Sequence, residues 1–263
     1  MNLSDISPVI LTWNEEPNIR RCLEGLTWAK RILVVDSGST DDTGTICRQF
    51  PNAELVVRPF DDHTSQWNFG IDGAATDWIL SLDADYVVNP EFVNELRALP
   101  SDTAEKAWFA PFRFLIFGKP LRGSIYPPRA LLFDRRCARY RADGHTQLLK
   151  VIGPTGMMST RIDHDDRKPL SRWFQSQIRY AVLEVEKLEA EESPSGLPDR
   201  IRKMILPAAP LTLFYTLLAK GALFDGRAGW FYALQRTFAE LLLSLMLLER
   251  RLCPKKNGEN NVS

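Results

Sequence analysis

Residues 31–44 read RILVVDSGSTDDTG, and this stretch holds the pattern that decides the fold. The apolar, β-branched run over 31–36 predicts a buried strand, and the small and polar residues after it are typical of a turn. Asp41 or Asp42 is expected to cap a helix that runs to about Phe50. A buried strand that leads through a tight turn into a helix is the unit from which parallel α/β sheets are built.

The same alternation extends through the first 100 residues. Further strands and helices are predicted, in chain order, over 6–12, 14–26, 53–57, 64–74, 77–82 and from 89 onwards. Alternating strands and helices with short connections predict a Rossmann-like α/β fold, with a mostly parallel sheet covered by helices on both faces. Ligands bind at the carboxyl ends of such strands, so we expect a site formed by residues 12–14, 36–38 and 83–85.

The charge of the chain is divided between its two parts. Its 263 residues include 33 basic and 33 acidic side chains. Residues 1–100 carry 7 basic and 16 acidic residues (−9), whereas residues 101–263 carry 26 and 17 (+9). The composition excludes a disordered chain and a small disulfide scaffold, and the four cysteines form no C-x-x-C pair. No recognition motif accompanies the basic part, so nucleic acid is not an expected partner.

Carboxylates follow two of the predicted strands. Asp83 and Asp85 lie two residues apart, so one can hold a divalent cation while the other accepts a hydrogen bond from a ribose hydroxyl. The alternative is a solvated turn between strand and helix. Asp36 offers an acceptor to a base or ribose, and the small residues after it let the backbone approach a ligand.

Four segments of the chain closely resemble, in order and spacing, the nucleotide-binding half of family 2 glycosyltransferases. They are TWNEEPNIRRCLEGL from Thr12, ILVVDSGSTDDT from Ile32, Gln66-Trp67-Asn68, and DWILSLDAD from Asp77. The resemblance covers roughly residues 6–100. It implies a GT-A fold, a nucleotide-diphospho-sugar donor (foremost a UDP-sugar), Mn²⁺ or Mg²⁺, and inversion at the anomeric carbon.

The resemblance also implies roles for individual residues. Asp36 would contact the nucleotide base, Asp83 the ribose and Asp85 the metal. Donor binding would further involve Thr12, Asn14, Glu16, Gln66 and Asn68. Many relatives have Asp-Asp where this chain has Asp36-Ser37, which leaves the choice of nucleotide open.

The segment YPPRALLFDRRCARYRADGHTQLL from Tyr126 is similar to the WaaE-like bacterial enzymes that glycosylate the lipopolysaccharide core. Relatives often have His-Glu where this chain has His145-Thr146, so the general base stays open among Asp143, His145, Asp165 and Asp166. Arg129 matches an arginine of that segment, and its guanidinium suits phosphate oxygens.

His164 has two interpretations. GT-A enzymes sometimes add a histidine from the C-terminal side of the domain as a metal ligand, and this resemblance implies that His164 is the third ligand of the metal. The alternative is a histidine that pairs with Asp163 or Asp165 in a turn.

The C-terminal part is predicted to be helical. Residues 171–192 form an amphipathic helix whose apolar stripe is Phe174, Ile178, Ala181, Val185 and Leu188. The apolar segment 204–224 contains two prolines and a lysine, and with 230–248 it fits an interfacial helix pair at a membrane better than a spanning helix. A packed hairpin or a dimer interface is the alternative.

We therefore expect a GT-A enzyme with C-terminal helices. Its parts are the donor half over 1–100, the acceptor half over 101–170, membrane-associating or oligomerising helices over 171–252, and a flexible tail over 253–263. The expected reaction moves a sugar to a hydroxyl of a lipid-linked saccharide or another cell-envelope glycan. Transfer to polyprenyl phosphate and a non-catalytic nucleotide-binding or membrane scaffold are the alternatives. The N-terminus does not resemble a signal peptide, and the expected location is the cytoplasmic face of the inner membrane.

Overall fold

The computed structural model describes residues 1–143, 146–190 and 196–253. They belong to two units, which divide after Lys168. The first unit contains the following strands: β1 Ile6–Thr12, β2 Ile32–Asp36, β3 Ala53–Val57, β4 Trp78–Asp83, β5 Tyr86–Val87, β6 Ala107–Ala110, β7 Phe112–Ile116, β8 Lys119–Pro120, β9 Arg129–Asp134, β10 Ala138–Asp143, β11 Thr146–Val151, β12 Thr155–Met157 and β13 Ile162–His164. Its helices are α1 Ile19–Glu24, α2 Thr43–Cys47, α3 His63–Gly73 and α4 Pro90–Ala98.

The described residues contain a seven-stranded sheet in the order β12-β6-β9-β4-β1-β2-β3. The strands β4, β1, β2 and β3 run parallel, and β9 is antiparallel to both β4 and β6. A smaller sheet has the order β5-β13-β7-β8, and β10 pairs with β11 in a two-stranded antiparallel sheet. The mostly parallel sheet confirms the predicted α/β class.

Helices cover both faces of the central strands. Successive residues of a strand point to opposite faces, and β1 shows this with Ile10 on the side of α1 and α4 and Val9 on the side of α3. Gly70 on α3 lies so near β1 that an added Cβ would come within 2.6 Å of the Val9 side chain. This close contact fixes α3, and with it Gln66, against the sheet.

Strand predictions agree with the structure more closely than helix predictions. The strands predicted over 6–12 and 53–57 have those bounds, but the helix predicted over 14–26 forms only as α1. Residues 14–18 instead make an irregular loop, in which Asn14 adopts a left-handed backbone conformation with φ 54°. Asp41 caps α2, because its Oδ1 accepts the Thr43 N–H at 3.0 Å.

The second unit is helical. Its helices are α5 Leu170–Ala190, α6 Leu197–Lys203, α7 Ala208–Phe214 and α8 Gly226–Leu252, with a π-helical turn at Tyr215–Ala219. Arg202 on α6 connects three helices, since it pairs with Glu240 of α8 at 2.7 Å and Glu184 of α5 at 3.1 Å. The apolar core around this ion-pair cluster consists of Val185, Leu188, Ile205, Leu243 and Leu247.

The predicted apolar stripe of α5 is only partly buried. Ala181, Val185 and Leu188 are buried, but Phe174 and Ile178 are exposed. Among the described residues, the helical segment long and apolar enough to cross a membrane is 222–252 rather than 204–224, and only a third of its most apolar window is buried. The finer division at residues 100, 170 and 252 stays a prediction, and the tail from 254 on lies outside the described residues.

Candidate functional site

The sheet brings three of the predicted segments to one edge. Thr12 lies opposite Asp36 in the pairing of β1 with β2, and Leu11 lies opposite Asp83 in the pairing of β1 with β4. The carboxyl ends of three neighbouring parallel strands therefore meet, as the strand order requires. Asp85 follows β4 by two residues, so it belongs to the same edge.

Asp36 is buried, and protein donors occupy both of its oxygens. Oδ1 accepts hydrogen bonds from the Thr12 hydroxyl at 2.9 Å and from the Ser39 hydroxyl. Oδ2 accepts the backbone N–H of Gly38 at 3.1 Å and of Ser39 at 2.8 Å. Gly38 has φ 86°, a conformation that glycine adopts without a steric cost. In this arrangement Asp36 shapes the turn after β2.

Asn14 and Glu16 hold the loop after β1 against the same turn. The Asn14 side-chain oxygen accepts the Thr40 N–H at 2.7 Å, and the Asn14 N–H donates to the Ser39 hydroxyl at 2.7 Å. The Glu16 N–H donates to Asp41 Oδ2 at 3.2 Å, and the Glu16 side chain is exposed. These contacts make the two loops one structural piece at the end of β1 and β2.

Gln66 and Asn68 have different surroundings although they are close in sequence. The buried Gln66 amide donates to the Ser37 hydroxyl at 2.9 Å, so it reaches the turn after β2. The Asn68 side chain forms a pair of hydrogen bonds with the backbone of Tyr140 on β10, at 3.0 and 3.2 Å. Asn68 thus fixes β10 to α3 and is bonded away from the loops of the predicted donor pocket.

Asp85 and His164 are brought together by β5 and β13. These strands are antiparallel neighbours in the smaller sheet, with His164 opposite Tyr86. The His164 Nε2 atom lies 3.7 Å from Asp85 Oδ2, and the two side chains are 13% and 12% exposed. Asp85 Oδ1 and His164 Nδ1 are buried without a hydrogen-bond partner among the described residues. Such unpaired buried polar atoms are rare and call for an explanation.

Burial sets the electrostatics of this pair. It raises the pKa of Asp85 to about 7, while the nearby Lys168 ammonium acts in the opposite direction. It lowers the pKa of His164 to about 4, so the imidazole is neutral at physiological pH. A neutral imidazole has a free ring-nitrogen lone pair, which is the form that binds metal ions.

Aromatic side chains line the other side of His164. Its ring stacks on Phe114 with a centroid distance of 4.4 Å and lies 5.2 Å from the ring of Tyr126. The Tyr126 hydroxyl is 3.1 Å from that of Tyr86, and the Arg129 guanidinium lies over the Tyr126 ring at 5.1 Å. Arg129 is exposed, so the structure brings this predicted phosphate ligand near the pair with its charge accessible.

Two charged residues of this region were not predicted from the sequence. The Lys168 ammonium lies 2.7 Å from the Glu15 carboxylate and 3.7 Å from that of Asp166. Burial raises the pKa of Glu15 to about 7, and the Lys168 charge opposes that rise. Glu15 lies within the TWNEE motif, so the sequence carries a local signal for a role of Glu15 at the site. Lys168 had no local signal, because its partner on the β1 loop is 153 positions away.

The sequence offers four candidates for the general base. His145 and the side chain of Asp143 lie outside the described residues. The other two candidates are engaged in hydrogen bonds. Asp166 Oδ1 accepts from the Asn18 amide at 2.9 Å, and Asp165 is buried in a cluster of arginines.

The side chains of Asp85 and His164 fit a divalent cation that a substrate phosphate also binds. Among the described residues no group of three or more His, Cys, Asp or Glu side chains forms a complete metal cage. Mg²⁺ is usually bound by one or two carboxylates together with substrate phosphates, so an incomplete protein set is what such a site requires. The unpaired Asp85 Oδ1 and the neutral His164 are suitable ligands.

A cavity of about 660 Å³ lies beside α1 and α4. Val87, Leu115 and Asp163 line it, and each is the sequence neighbour of an aromatic residue or histidine of the cluster around Asp85. Because strand residues alternate between faces, the smaller sheet separates this cavity from the Asp85–His164 pair. The cavity is therefore not the predicted donor pocket.

Residues 7–118 match the model of the family described as Glycosyl transferase family 2. The predicted GT-A class is thereby confirmed. A glycosyltransferase of Rickettsia felis is 35% identical over 96 residues, which are 36% of this chain and 34% of the relative. The lipopolysaccharide core biosynthesis glycosyltransferase LpsC of Rhizobium meliloti is 31% identical over 84 residues, 30% of this chain and 31% of the relative.

The chain thus spans about a third of the length of the curated relatives that it matches. Among solved structures, S. aureus TarS 1–349 in complex with UDP-GlcNAc is similar with a TM-score of 0.48 and 11% identity. The likeness covers 94% of this chain and 92% of that one.

Proposed function

We propose that the protein is an inverting, metal-dependent glycosyltransferase that moves a sugar from a nucleotide-diphospho-sugar to a hydroxyl of a lipid-linked saccharide. The observation that carries this proposal is the buried Asp85–His164 pair, with its unpaired polar atoms, at the strand edge where a family 2 domain is expected to bind its donor. The name of LpsC supports a cell-envelope glycan as the acceptor class.

Different residues at the strand edge would bind different parts of the nucleotide-sugar. Asp83 and the loops after β1 and β2 would hold the nucleoside, with the Asp36 carboxylate keeping the second loop in shape. Asp85 and His164 would hold Mn²⁺ or Mg²⁺, which supplies positive charge to the departing diphosphate. The Arg129 guanidinium is a second source of positive charge for phosphate oxygens.

Direct displacement at the anomeric carbon also needs a base for the acceptor hydroxyl. Asp143 and His145 remain the proposed candidates, because they belong to the segment that resembles the acceptor side of related enzymes. The aromatic cluster of Phe114, Tyr86 and Tyr126 would exclude water from the reacting diphosphate.

The helical unit is proposed to contact the cytoplasmic face of a membrane. Many large apolar side chains of this unit are exposed, and examples are Leu206 at 82%, Leu197 at 70% and Phe224 at 69%. Large contiguous apolar patches on a protein surface mark interaction sites. The basic residues Arg250 and Arg251 at the end of α8 suit anionic lipid headgroups. Self-association through the same surface is the alternative.

The donor proposal is tested by differential scanning fluorimetry. A panel of nucleotide-sugars is added with Mn²⁺, and a matching donor is expected to raise the melting temperature because it binds only the folded state. The same mixtures are assayed for release of nucleoside diphosphate, with and without EDTA. Full activity in EDTA would contradict the metal assignment, and no response to any nucleotide-sugar would contradict the donor class.

The membrane proposal is tested by sedimentation with anionic phospholipid vesicles at low salt. The wild-type protein is expected in the pellet, and Leu206→Glu is expected to reduce the bound fraction because it places a charge on the apolar surface. Leu148→Glu is the matched control, since Leu148 is an exposed leucine of the first unit. Protein that stays in the supernatant and elutes as a dimer would favour self-association instead.

A further inference from the structure

Asp165 follows β13 directly, and its side chain points away from the Asp85–His164 pair. His164 faces Asp85 and the aromatic cluster, whereas Asp163 and Asp165 line the cavity on the other side of the smaller sheet. Asp165 is only 2% exposed. A buried carboxylate is tolerated only when charged or polar donors surround it, so its partners show what it holds in place.

Those partners come from three separate segments of the chain. Arg21 of α1 donates to Asp165 Oδ2 at 2.7 Å and also to the Asp165 carbonyl oxygen at 2.9 Å. The Gly118 N–H, in the turn between β7 and β8, donates to Oδ1 at 3.0 Å. Arg167 donates to Oδ2 at 2.9 Å. The Asp165 carboxylate thus joins α1, the edge of the smaller sheet and the segment after β13 that carries Lys168.

The backbone of Asp165 is hydrogen-bonded to Asp85, the other residue of the proposed cation site. Its N–H donates to the carbonyl oxygen of Asp85 at 3.0 Å. Asp165 is therefore the residue that follows one proposed ligand in sequence and is hydrogen-bonded to the backbone of the other. A shift of Asp165 would change the 3.7 Å separation between His164 Nε2 and Asp85 Oδ2.

We propose that Asp165 is the positioning residue of the cation site, and that its contacts with Arg21 and Gly118 hold His164 against Asp85 before the cation arrives. This inference rests on the proposed function, because that function assigns the cation to Asp85 and His164. It also gives Asp165 a role other than that of general base. Residues that orient metal ligands commonly contribute about 10- to 100-fold to metal affinity.

Asp163 offers a matched control on the same strand. It pairs with Arg113 of β7 through two hydrogen bonds at 2.5 and 2.6 Å, on the same face as Asp165. Asp163→Asn therefore removes a carboxylate next to His164 in sequence and breaks an ion pair of the same sheet. It leaves the contacts of Asp165 with α1 intact.

The experiment measures the dissociation constant of Mn²⁺, with and without added UDP, from the electron paramagnetic resonance signal of the free ion, and a protein-free mixture of Mn²⁺ and UDP is the blank. The wild type, Asp165→Asn and Asp163→Asn are compared at a temperature where circular dichroism shows each protein to be folded. We expect Asp165→Asn to weaken Mn²⁺ binding about 10- to 100-fold, with Asp163→Asn within about twofold of the wild type. A purely structural role would lower the melting temperature of the metal-free protein and leave the Mn²⁺ affinity unchanged.

Arg21→Gln provides a second variant if Asp165→Asn does not fold. It removes the donor from α1 and is expected to weaken Mn²⁺ binding in the same direction by a smaller factor. Wild-type affinity in Asp165→Asn, or in Arg21→Gln where only that variant folds, would overturn the positioning role and leave the proposed function intact. A wild type that binds no Mn²⁺, with or without UDP, would overturn the cation site and the positioning role together. A wild type that binds Mn²⁺ but transfers no sugar would overturn only the proposed reaction.

Discussion

Asp36 at the end of β2 is buried and Asp85 in the turn after β4 is 12% exposed, but the two carboxylates are used differently. Asp36 accepts four hydrogen bonds from its own and the neighbouring loop. Asp85 has one oxygen without a partner among the described residues, and its nearest cationic or basic group is the neutral His164. A carboxylate whose bonds are complete stabilises the fold, whereas one with an unused oxygen is available to a ligand.

The largest expected effect comes from removing the available carboxylate. Asp85→Asn should lower sugar transfer about 10²- to 10³-fold, because a metal ion contributes several kcal/mol to stabilising the departing charge. Its melting temperature should stay equal to that of the wild type or rise, since a buried amide costs less than a buried unpaired charge. Turnover and thermal unfolding are measured in parallel, with the exposed Asp72→Asn as control. Normal turnover in Asp85→Asn would refute the conclusion that the unused oxygen of Asp85 is available to a ligand.

Asp36→Asn is expected to lower the stability of the protein, which Asp85→Asn is expected to leave unchanged or raise. It leaves the Gly38 and Ser39 donors with a poorer acceptor, so the free energy of unfolding should fall by about 2 kcal/mol. Urea denaturation measures this change. Asp42→Asn is the control from the same turn, because the Asp42 side chain makes no capping hydrogen bond, and it should change stability by less than about 0.5 kcal/mol. Equal stability of the two variants would show that the hydrogen bonds of Asp36 are not what holds the turn.

Lys168→Met tests the electrostatics around the second turn. The Lys168 charge lies among acidic groups and acts on Asp85, so it competes with a divalent cation for the same field. Removing it should tighten Mn²⁺ binding about two- to tenfold, measured in the Mn²⁺ titration described above. Lys119→Met, an exposed site on β8, should have no effect. Weaker binding in Lys168→Met would mean that Lys168 supports the cation site rather than opposing it.

The smallest effect isolates one hydrogen bond of the first turn. Thr12→Val keeps the β-branched shape and removes the hydroxyl that donates to Asp36, so stability should fall by about 1 kcal/mol. Thr12→Ser keeps the donor and should cost less. A double-mutant cycle with Asp36→Asn separates the interaction of the two residues from their other contacts. Additive effects in that cycle would show that the bond contributes nothing to stability.

The parallel strands of the first unit could be predicted because buried strands are short, continuous apolar runs bounded by turn residues. The loop over 14–18 was predicted as the start of a helix because its acidic residues precede the helically spaced apolar residues from Ile19 to Leu26. Tertiary hydrogen bonds instead hold Asn14 in a left-handed conformation, and local spacing does not report such bonds. On α5, Phe174 and Ile178 have the spacing of a buried stripe but stay exposed, because they lie outside the apolar core of Val185, Leu188 and their partners. The Phe174 ring packs at the edge of this unit, at 4.9 Å from the Phe238 ring of α8.

Pattern and resemblance selected Asp36, Asp85 and His164 for the site, and the structure brings all three near the predicted strand edge. Their roles as ligands of donor or metal stay predictions. Asn68 was selected by the same resemblance, but its side chain is bonded to the backbone of Tyr140. Sequence proximity to Gln66 could not reveal this, because successive helix residues point in different directions.

The amino-acid sequence by itself determined the α/β class, the strand edge at which the polar loops meet, and the candidate pair Asp85 and His164. The class and the strand edge follow from local periodicity and turn chemistry, which need no knowledge of distant contacts. The pair of Asp85 and His164 follows from the resemblance to family 2 glycosyltransferases. Only the tertiary structure decided that Asp36 is fully bonded while Asp85 is not, and that Asp165 links α1 to the pair. The contact of Arg21 with Asp165 joins residues 144 positions apart. The donors to Asp36 are closer in sequence, but which of its bonds form depends on how the loops after β1 and β2 pack together.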